Sequence, residues 1–362
     1  MKIIAAVARD RSGPFTVEEL ELEQPRDDEV AVRLVGAGIC HTDLAMRAGQ
    51  VPLPVVLGHE GAGVVERVGA RVQKVAPGDH VVLSFLSCGT CPACQRGMPA
   101  YCENDLACNF AAARLDGSSS LRGSSGIVRS HFFGQSSFAS HCLAGERNVV
   151  KVRDDVPLEL LGPLGCGIQA GAGAVLNTAG HPFRRSIAVF GTGSVGLSAV
   201  MAAAAAGYTT IIGIDTNPAR LQLASELGAT HVINSAAADP ATEVKAITGD
   251  GAGYAIEATG RADAVRQAVD CLAQLGTCGL IGGAPAGTEV RLDLNQVLFG
   301  RTVRGILAGD SIPDLFIPHL IELYLAGRFP FDRLITFYPL REINQAADDS
   351  LQGRVVKPVL RP

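Results

Sequence analysis

The chain contains no tryptophan, and aromatic residues make up only 5% of its 362 positions. Charged residues are also sparse, at 19%. Neither charge sign dominates: 31 basic and 36 acidic side chains leave a net charge of −5. Nothing therefore draws the chain to polyanions, which argues against nucleic acid and anionic membrane as partners. Long hydrophobic runs are missing as well. The longest, Leu197 to Ala206, is half of the roughly 20 residues a bilayer-spanning helix needs, so no membrane span is expected. Near the start, Arg9 and Asp10 cut off the apolar stretch Ile3 to Ala8 before a signal-peptide core can form, and a cytoplasmic location is expected.

What is present points to a folded protein of two packed domains. Apolar residues reach 47%, enough for a sizeable core at this length. The 42 glycines and 19 prolines come to about 17%, below the roughly 25–30% of low-complexity chains. Ten cysteines in a reducing compartment favour metal ligation or redox chemistry over disulfides.

The pattern of elements changes along the chain. Up to about Asn148, short β-rich segments (Glu29 to Val35, Gly61 to Val68, His80 to Phe85, Phe138 to Cys142) alternate with Gly and Pro, as in an irregular barrel or sandwich. Ser118 to Ser130 has the composition of a mobile surface loop. From Arg185 the alternation becomes strand, helix, strand: Ser186 to Phe190, Val195 to Ala206, Thr209 to Asp215, Pro218 to Leu227, His231 to Asn234, Tyr254 to Glu257, Ala262 to Ala273, Cys278 to Ile281. That rhythm predicts parallel βαβ units in a doubly wound sheet. A helical Pro313 to Ala326 and a closing strand Val355 to Leu360 break it and are expected to rejoin the first domain. The expected division is 1–167, 168–307 and the returning 308–362.

Gly191, Gly193 and Gly196 form G-T-G-S-V-G between an apolar strand and an Ala-rich helix, and Asp215 closes the next strand 19 residues after Gly196. The glycines permit a tight turn, close approach of backbone to a pyrophosphate, and helix-on-strand packing; the helix N-terminus offers free N–H groups. A carboxylate at Asp215 suits both adenosine ribose hydroxyls and repels a 2′-phosphate, which favours NAD over NADP. A plain turn with an exposed Asp is the competing interpretation.

Two cysteine constellations suit zinc. Cys88, Cys91, Cys94 and Cys102 follow C-x2-C-x2-C-x7-C in a Gly- and Pro-rich stretch that cannot fold on apolar burial alone. Four thiolates would close a tetrahedral structural site, with an iron–sulfur cluster or idle thiols as the alternatives. Cys40, His59 and Cys166 are dispersed, but Gly38-Ile39-Cys40-His41-Thr42-Asp43 and Gly58-His59-Glu60 gather reactive groups around them. Two thiolates and an imidazole leave a fourth position for water or substrate oxygen, the pattern of a catalytic site that lowers an alcohol's pKa.

Together GHEGAG at Gly58 to Gly63, the four-cysteine lobe, Cys166 and GTGSVG resemble the zinc-dependent medium-chain alcohol dehydrogenases over essentially the whole chain. CHTDL, VLGHEGAGVVERVG and the SFxSCGxC stretch look most like aryl-alcohol (benzyl-alcohol) dehydrogenases. The resemblance implies a two-domain α/β protein: a GroES-like β-rich catalytic domain and a Rossmann domain, with two zinc ions per subunit and NAD. It implies that Cys40, His59 and Cys166 hold the catalytic zinc, with Glu60 behind as an occasional ligand. Asp43 would orient His59, Thr42 would take the substrate proton, and His41 would face the cofactor pyrophosphate. It sets Val195 and Ile281 against the nicotinamide, Arg220 near the adenosine ribose, Arg261 by the cofactor and Lys357 by its phosphates. Phe85 and Phe132 resemble pocket walls. The chain departs from the liver-type pattern at Ala45, where that type carries a proton-relaying histidine; protons would leave through the ribose hydroxyl and His41 or water.

The implied reaction is oxidation of a primary, aromatic alcohol to its aldehyde, zinc holding the alkoxide and NAD taking the hydride. Glutathione-dependent formaldehyde oxidation is the closest alternative, but the segment LAMRAGQVPLPVVL after Asp43 is short and lacks the acidic anchors a glutathione conjugate needs. Broader aliphatic or allylic activity, a sugar-alcohol substrate and a noncatalytic zinc and dinucleotide-binding protein are further alternatives. All three catalytic ligands are present, which argues against the last. A homo-oligomer, dimer or tetramer, is expected through the strand near Arg301 to Leu307.

Overall fold

The computed structural model describes residues 1–49, 51–178 and 185–362. They form two compact units. The first comprises Met1–Gly167, Ile312–His319 and Asp332–Pro362; the second comprises Ile168–Ser311 and Leu320–Phe331. The stretch expected to return as one piece, 308–362, is thus divided. Its first residues stay with the second unit because the Ser311 hydroxyl donates to the Gln169 side chain and the Asn177 amide donates to the Gly309 carbonyl.

The first unit holds two β-sheets. In one, Val55–Val56, Lys2–Ala8, Thr16–Leu22, Leu121–Gly123 and Gly126–Val128 lie side by side in that order. In the other, Glu29–Gly38 is the hub, pairing with Gly61–Val68, His141–Gly145 and Lys357–Arg361. Its side chains alternate between two cores, as the two-residue period of a strand requires. Val30, Val32 and Leu34 join Val65, Val81 and Leu83, while Ala31 and Ala37 join Ile3, Phe138 and Leu143. Pairing of Val359 with Gly38 and Leu360 with Ala37 brings the end of the chain beside the start of the helix His41–Ala48.

The serine-rich segment 118–130 is a hairpin, not a loose loop. Leu121–Gly123 pairs with Gly126–Val128, and Leu121 and Val128 enter the core. Its hydroxyls satisfy one another: Ser130 Oγ lies 2.9 Å from Ser119 Oγ and 3.1 Å from Ser120 Oγ. Composition alone misleads here because buried hydroxyls can be mutually hydrogen-bonded.

In the second unit six parallel strands run in the order His231–Asn234, Thr210–Asp215, Ser186–Phe190, Ala252–Glu257, Leu272–Leu280, Thr302–Gly305. This is the doubly wound order, with its reversal beside Ser186–Phe190. The alanine-rich helix Ser194–Ala205 buries residues 196–203, since small side chains let it lie close to the sheet. The helix expected over Ala262 to Ala273 ends at Asp270, and Leu272 already begins a strand. Burial of Leu272 and Ala273 suits either element, so periodicity could not mark the boundary. Among the described residues no helix is long and apolar enough to cross a membrane.

One buried histidine gives the first unit an acid sensitivity. His131 sits in the left-handed region at φ 63°, buried, with its Nε2 lacking a hydrogen-bond partner among the described residues. Burial pushes its imidazole down to about 4, against the pull of the Glu29 carboxylate, which Arg114 clamps through two bonds. Unfolded, the group would titrate near 6.5. Its contribution is therefore complete above that pH and is lost as pH falls towards 4, by up to about 3 kcal/mol. His131→Asn, which tolerates positive φ, should flatten the fall in unfolding free energy between pH 6.5 and 4. Urea titrations across that range check it; an unchanged slope would reject the assignment.

Candidate active site

Asp43 organises the candidate metal centre. It stands three residues into the helix that Cys40 caps, and it is fully buried. Its Oδ2 accepts the Cys40 N–H at 2.9 Å; its Oδ1 accepts the Gly58 N–H at 3.0 Å and lies 2.8 Å from His59 Nδ1. A carboxylate can only accept, so His59 donates from Nδ1 and presents the lone pair of Nε2. That Nε2 is 3.2 Å from Cys166 Sγ.

A second brace comes from Gln135, whose amide donates to the His59 and Ser84 carbonyls and accepts the Gly61 N–H. Ser84 Oγ in turn donates to the Gly165 carbonyl, next to Cys166. Donor atoms of Cys40, His59, Glu60 and Cys166 all lie within 4.8 Å of one another. Two sulfurs and a nitrogen at this spacing suit zinc.

The electrostatics fit a cation. Interaction with Cys166, and then with His59, holds the Cys40 thiol well below its ordinary value despite burial. Burial works against the His59 imidazolium, yet the Asp43 carboxylate and Cys40 raise it well above the usual range.

The four-cysteine lobe is a separate cluster, its sulfurs within 4.8 Å of one another. Backbone donors face them: the Cys88 N–H to Cys102, the Cys91 N–H to Cys88, the Glu103 N–H to Cys91. The Asn104 side chain and the Thr90 and Cys91 amides draw Cys88 down to about 5, whereas burial pushes Cys94 up to about 12. The two move apart because hydrogen-bond donors face Cys88, whereas Cys94 is desolvated and lies beside other cysteine sulfurs. Four sulfurs leave no position for substrate.

In the second unit, Gly191 takes φ 87° at the first turn after Ser186–Phe190. A Cβ on Gly196 would collide with the Gly191 carbonyl, whereas one on Gly193 would meet nothing within 4 Å. The space above Gly193, at an uncapped helix N-terminus, fits a pyrophosphate. Asp215 ends the next strand; its Oδ2 accepts from Thr192 N–H and Oγ1, and its Oδ1 from the Asn217 N–H. Asn217 caps the following helix, which carries Arg220; the buried Nε of Arg220 lacks a partner among the described residues.

Residues 26–154 match the alcohol dehydrogenase GroES-like domain, and residues 194–324 match the zinc-binding dehydrogenase family. A geraniol dehydrogenase of Castellaniella defragrans is 48% identical over 98% of this chain and 96% of its own length. The chain belongs to the zinc-dependent medium-chain alcohol dehydrogenases. Among solved structures, benzyl alcohol dehydrogenase from Acinetobacter calcoaceticus superposes on this dehydrogenase with a TM-score of 0.96 at 46% identity, covering 100% and 99% of the two chains. An alcohol dehydrogenase zinc-binding domain protein from Burkholderia ambifaria does so with a TM-score of 0.98 at 53% identity, covering 100% and 99%.

The structure of the dehydrogenase brings Cys40, His59, Glu60, Cys166 and Asp43 together, with Thr42 Oγ1 3.7 Å from Cys40 Sγ. His41 and Ala45 are exposed on the same helix. Val195 and Ile281 are half-buried, and exposed Arg261 pairs with Asp263.

Lys357 requires a correction. It is not free for cofactor phosphates but is buried, with Nζ 2.9 Å from both Glu60 oxygens, because its strand runs beside Ile39 and Cys40. Phe132 also differs from expectation. It is completely buried in the core, edge-on to His59 at 5.7 Å. Its half-buried neighbour Phe133 stacks on the His59 ring at 4.4 Å, and Phe110 meets both. Phe85 is half-buried and joins none of these ring pairs among the described residues. The resemblance pointed to Phe85 and Phe132 as walls; the backbone between His131 and Ser136 decides that Phe133, not Phe132, stacks on the imidazole.

If Asp43 fixes the metal-binding tautomer, Asp43→Asn should weaken catalytic-zinc retention by about 10- to 100-fold. The four-cysteine ion should stay. Chelator competition followed by metal counting checks this; equal loss of both ions, or of neither, would contradict it.

Proposed function

We propose that this dehydrogenase oxidises primary alcohols with an unsaturated carbon next to the carbinol, benzylic ones first, to aldehydes with NAD as acceptor. The observation that carries this is the cluster of Phe110, Phe132 and Phe133 against the metal-binding imidazole. An aromatic ring beside Phe133 gains offset or edge contacts that a short aliphatic chain cannot make. The name of the 48%-identical relative, geraniol dehydrogenase, supports allylic alcohols as the second reading.

When bound, zinc supplies Lewis acidity to the alcohol oxygen and the nicotinamide accepts hydride. Cys40, His59 and Cys166 hold the ion, and Asp43 keeps the imidazole in the required tautomer. The Thr42 hydroxyl, beside Cys40, accepts the alcohol proton. With alanine at position 45, the proton passes on through His41 or water. Gly191, Gly193 and the Ser194–Ala205 N-terminus would seat the pyrophosphate, and Val195 and Ile281 would hold the nicotinamide. Asp215, already held by Thr192 and Asn217, would bind the adenosine ribose and oppose a 2′-phosphate, and Arg220 and Arg261 would help hold the cofactor. The four-cysteine zinc is structural. Self-association forms part of the same proposal, supported by the edge strand Thr302–Gly305 and the exposed Leu275, Leu294, Leu298 and Phe299.

Initial rates should rank benzyl alcohol above geraniol and geraniol above ethanol by kcat/KM, with NAD above NADP. A preference for S-hydroxymethylglutathione would overturn the assignment. Phe133→Ala should lower kcat/KM for benzyl alcohol by about tenfold, the worth of one aromatic pair, and leave ethanol nearly unchanged; an equal fall for both would count against the ring contact. Light scattering of the intact protein should give a dimer or tetramer mass, and a monomer would refute self-association.

A further inference from the structure

We propose that Lys357 is a positioning residue that holds Glu60 off the metal and so keeps the fourth coordination position available to substrate. The inference rests on the zinc assignment above. A Glu60 oxygen lies within 4.8 Å of the donor atoms of Cys40, His59 and Cys166. A small swing would make it the fourth protein ligand and close the site. Several contacts oppose that swing. Lys357 Nζ lies 2.9 Å from each Glu60 oxygen and donates to the Ile39 carbonyl at 3.2 Å, which matches the three donors of an ammonium. Glu60 Oε1 also accepts the Gly167 N–H at 3.2 Å. Gly38 makes the arrangement possible, because a Cβ there would collide with Glu60 Oε2.

Charge decides between the two positions. Zinc held by two thiolates and a neutral imidazole is already electrically neutral, so Glu60 gains less there than it would lose by leaving a buried ammonium unpaired. Lys357, 2% exposed, would be left with one carbonyl and no counter-charge, and a buried unpaired ammonium is strongly disfavoured. Glu60 therefore stays with the lysine.

The test uses cobalt-substituted protein and imidazole as an added ligand, followed by the d–d bands. Wild type should bind imidazole with a clear spectral shift. Lys357→Met should bind it about tenfold or more weakly, in line with the effect of altering groups behind metal ligands. Lys357→Arg should behave as wild type, and the double variant K357M/E60Q should recover binding. Unchanged imidazole affinity in K357M would overturn the proposal. Should K357M fail to fold, the crystal structure of the zinc-loaded wild type decides: Glu60 on Lys357 supports the lock, and a Glu60 oxygen about 2.0–2.2 Å from zinc refutes it. A wild type that takes up only one cobalt per chain would instead unseat the zinc assignment itself.

Discussion

Asp43 is one carboxylate with three obligations, and the geometry of the metal centre follows from all three being met at once. It caps the helix that begins after Cys40, closes the turn at Gly58 and orients His59. Those bonds connect position 40, just after the strand Glu29–Gly38, with position 59, just before the strand Gly61–Val68. A buried carboxylate without such donors would cost several kcal/mol. With them, its desolvation is offset by bonds that also fix where a thiol and an imidazole point.

The turn from His131 to Ser136 supplies the opposite face of the same histidine, and it does so under backbone strain. His131, Phe133 and Ser136 all adopt positive φ, as does Gly134. Non-glycine residues there cost on the order of 1 kcal/mol each. The surroundings over-determine the turn. Ser136 Oγ accepts the Phe132 N–H and donates to the Val56 carbonyl, Asn148 donates to the Phe133 and Gly134 carbonyls, and Gln135 ties the turn to His59. The strain stacks Phe133 on the imidazole and turns Phe132 into the core, so the ring order is a property of the backbone.

This explains what was legible in the sequence. Elements whose signal is local could be read: the parallel strand–helix alternation, the glycine turn before Ser194–Ala205, and the four closely spaced cysteines. Cys40, His59 and Cys166 stood out through the reactive groups flanking Cys40 and His59, and the resemblance joined them into one ligand set, since no local rule links positions so far apart. Lys357 was misplaced because its partner, Glu60, lies almost 300 residues away, and only the pairing of the final strand with Glu29–Gly38 joins them. Gln135 went unnoticed for a similar reason: a buried amide bonding to backbone carbonyls leaves no pattern in composition. The serine-rich hairpin shows the reverse error, a polar segment anchored in the core by Leu121 and Val128 while the Ser119, Ser120 and Ser130 hydroxyls bond to one another.

Charge balance links these features to the chemistry. Asp43, Glu60 and two thiolates stand against Lys357 in a region where His59, Asp43 and Glu60 have no solvent exposure. Lys357 and Glu60 neutralise one another, which leaves the thiolates and Asp43. A divalent cation cancels the thiolates, and the remaining carboxylate is screened through the imidazole it orients. In the four-cysteine lobe no such lysine–glutamate pair exists among the described residues, and four thiolates around one divalent ion stay net negative, stabilised by the N–H groups that face the sulfurs. The first arrangement leaves a neutral metal with a free corner, suited to a substrate oxygen; the second leaves a closed, anionic cross-link. The same element thus takes two roles in one unit because the charges around each site differ.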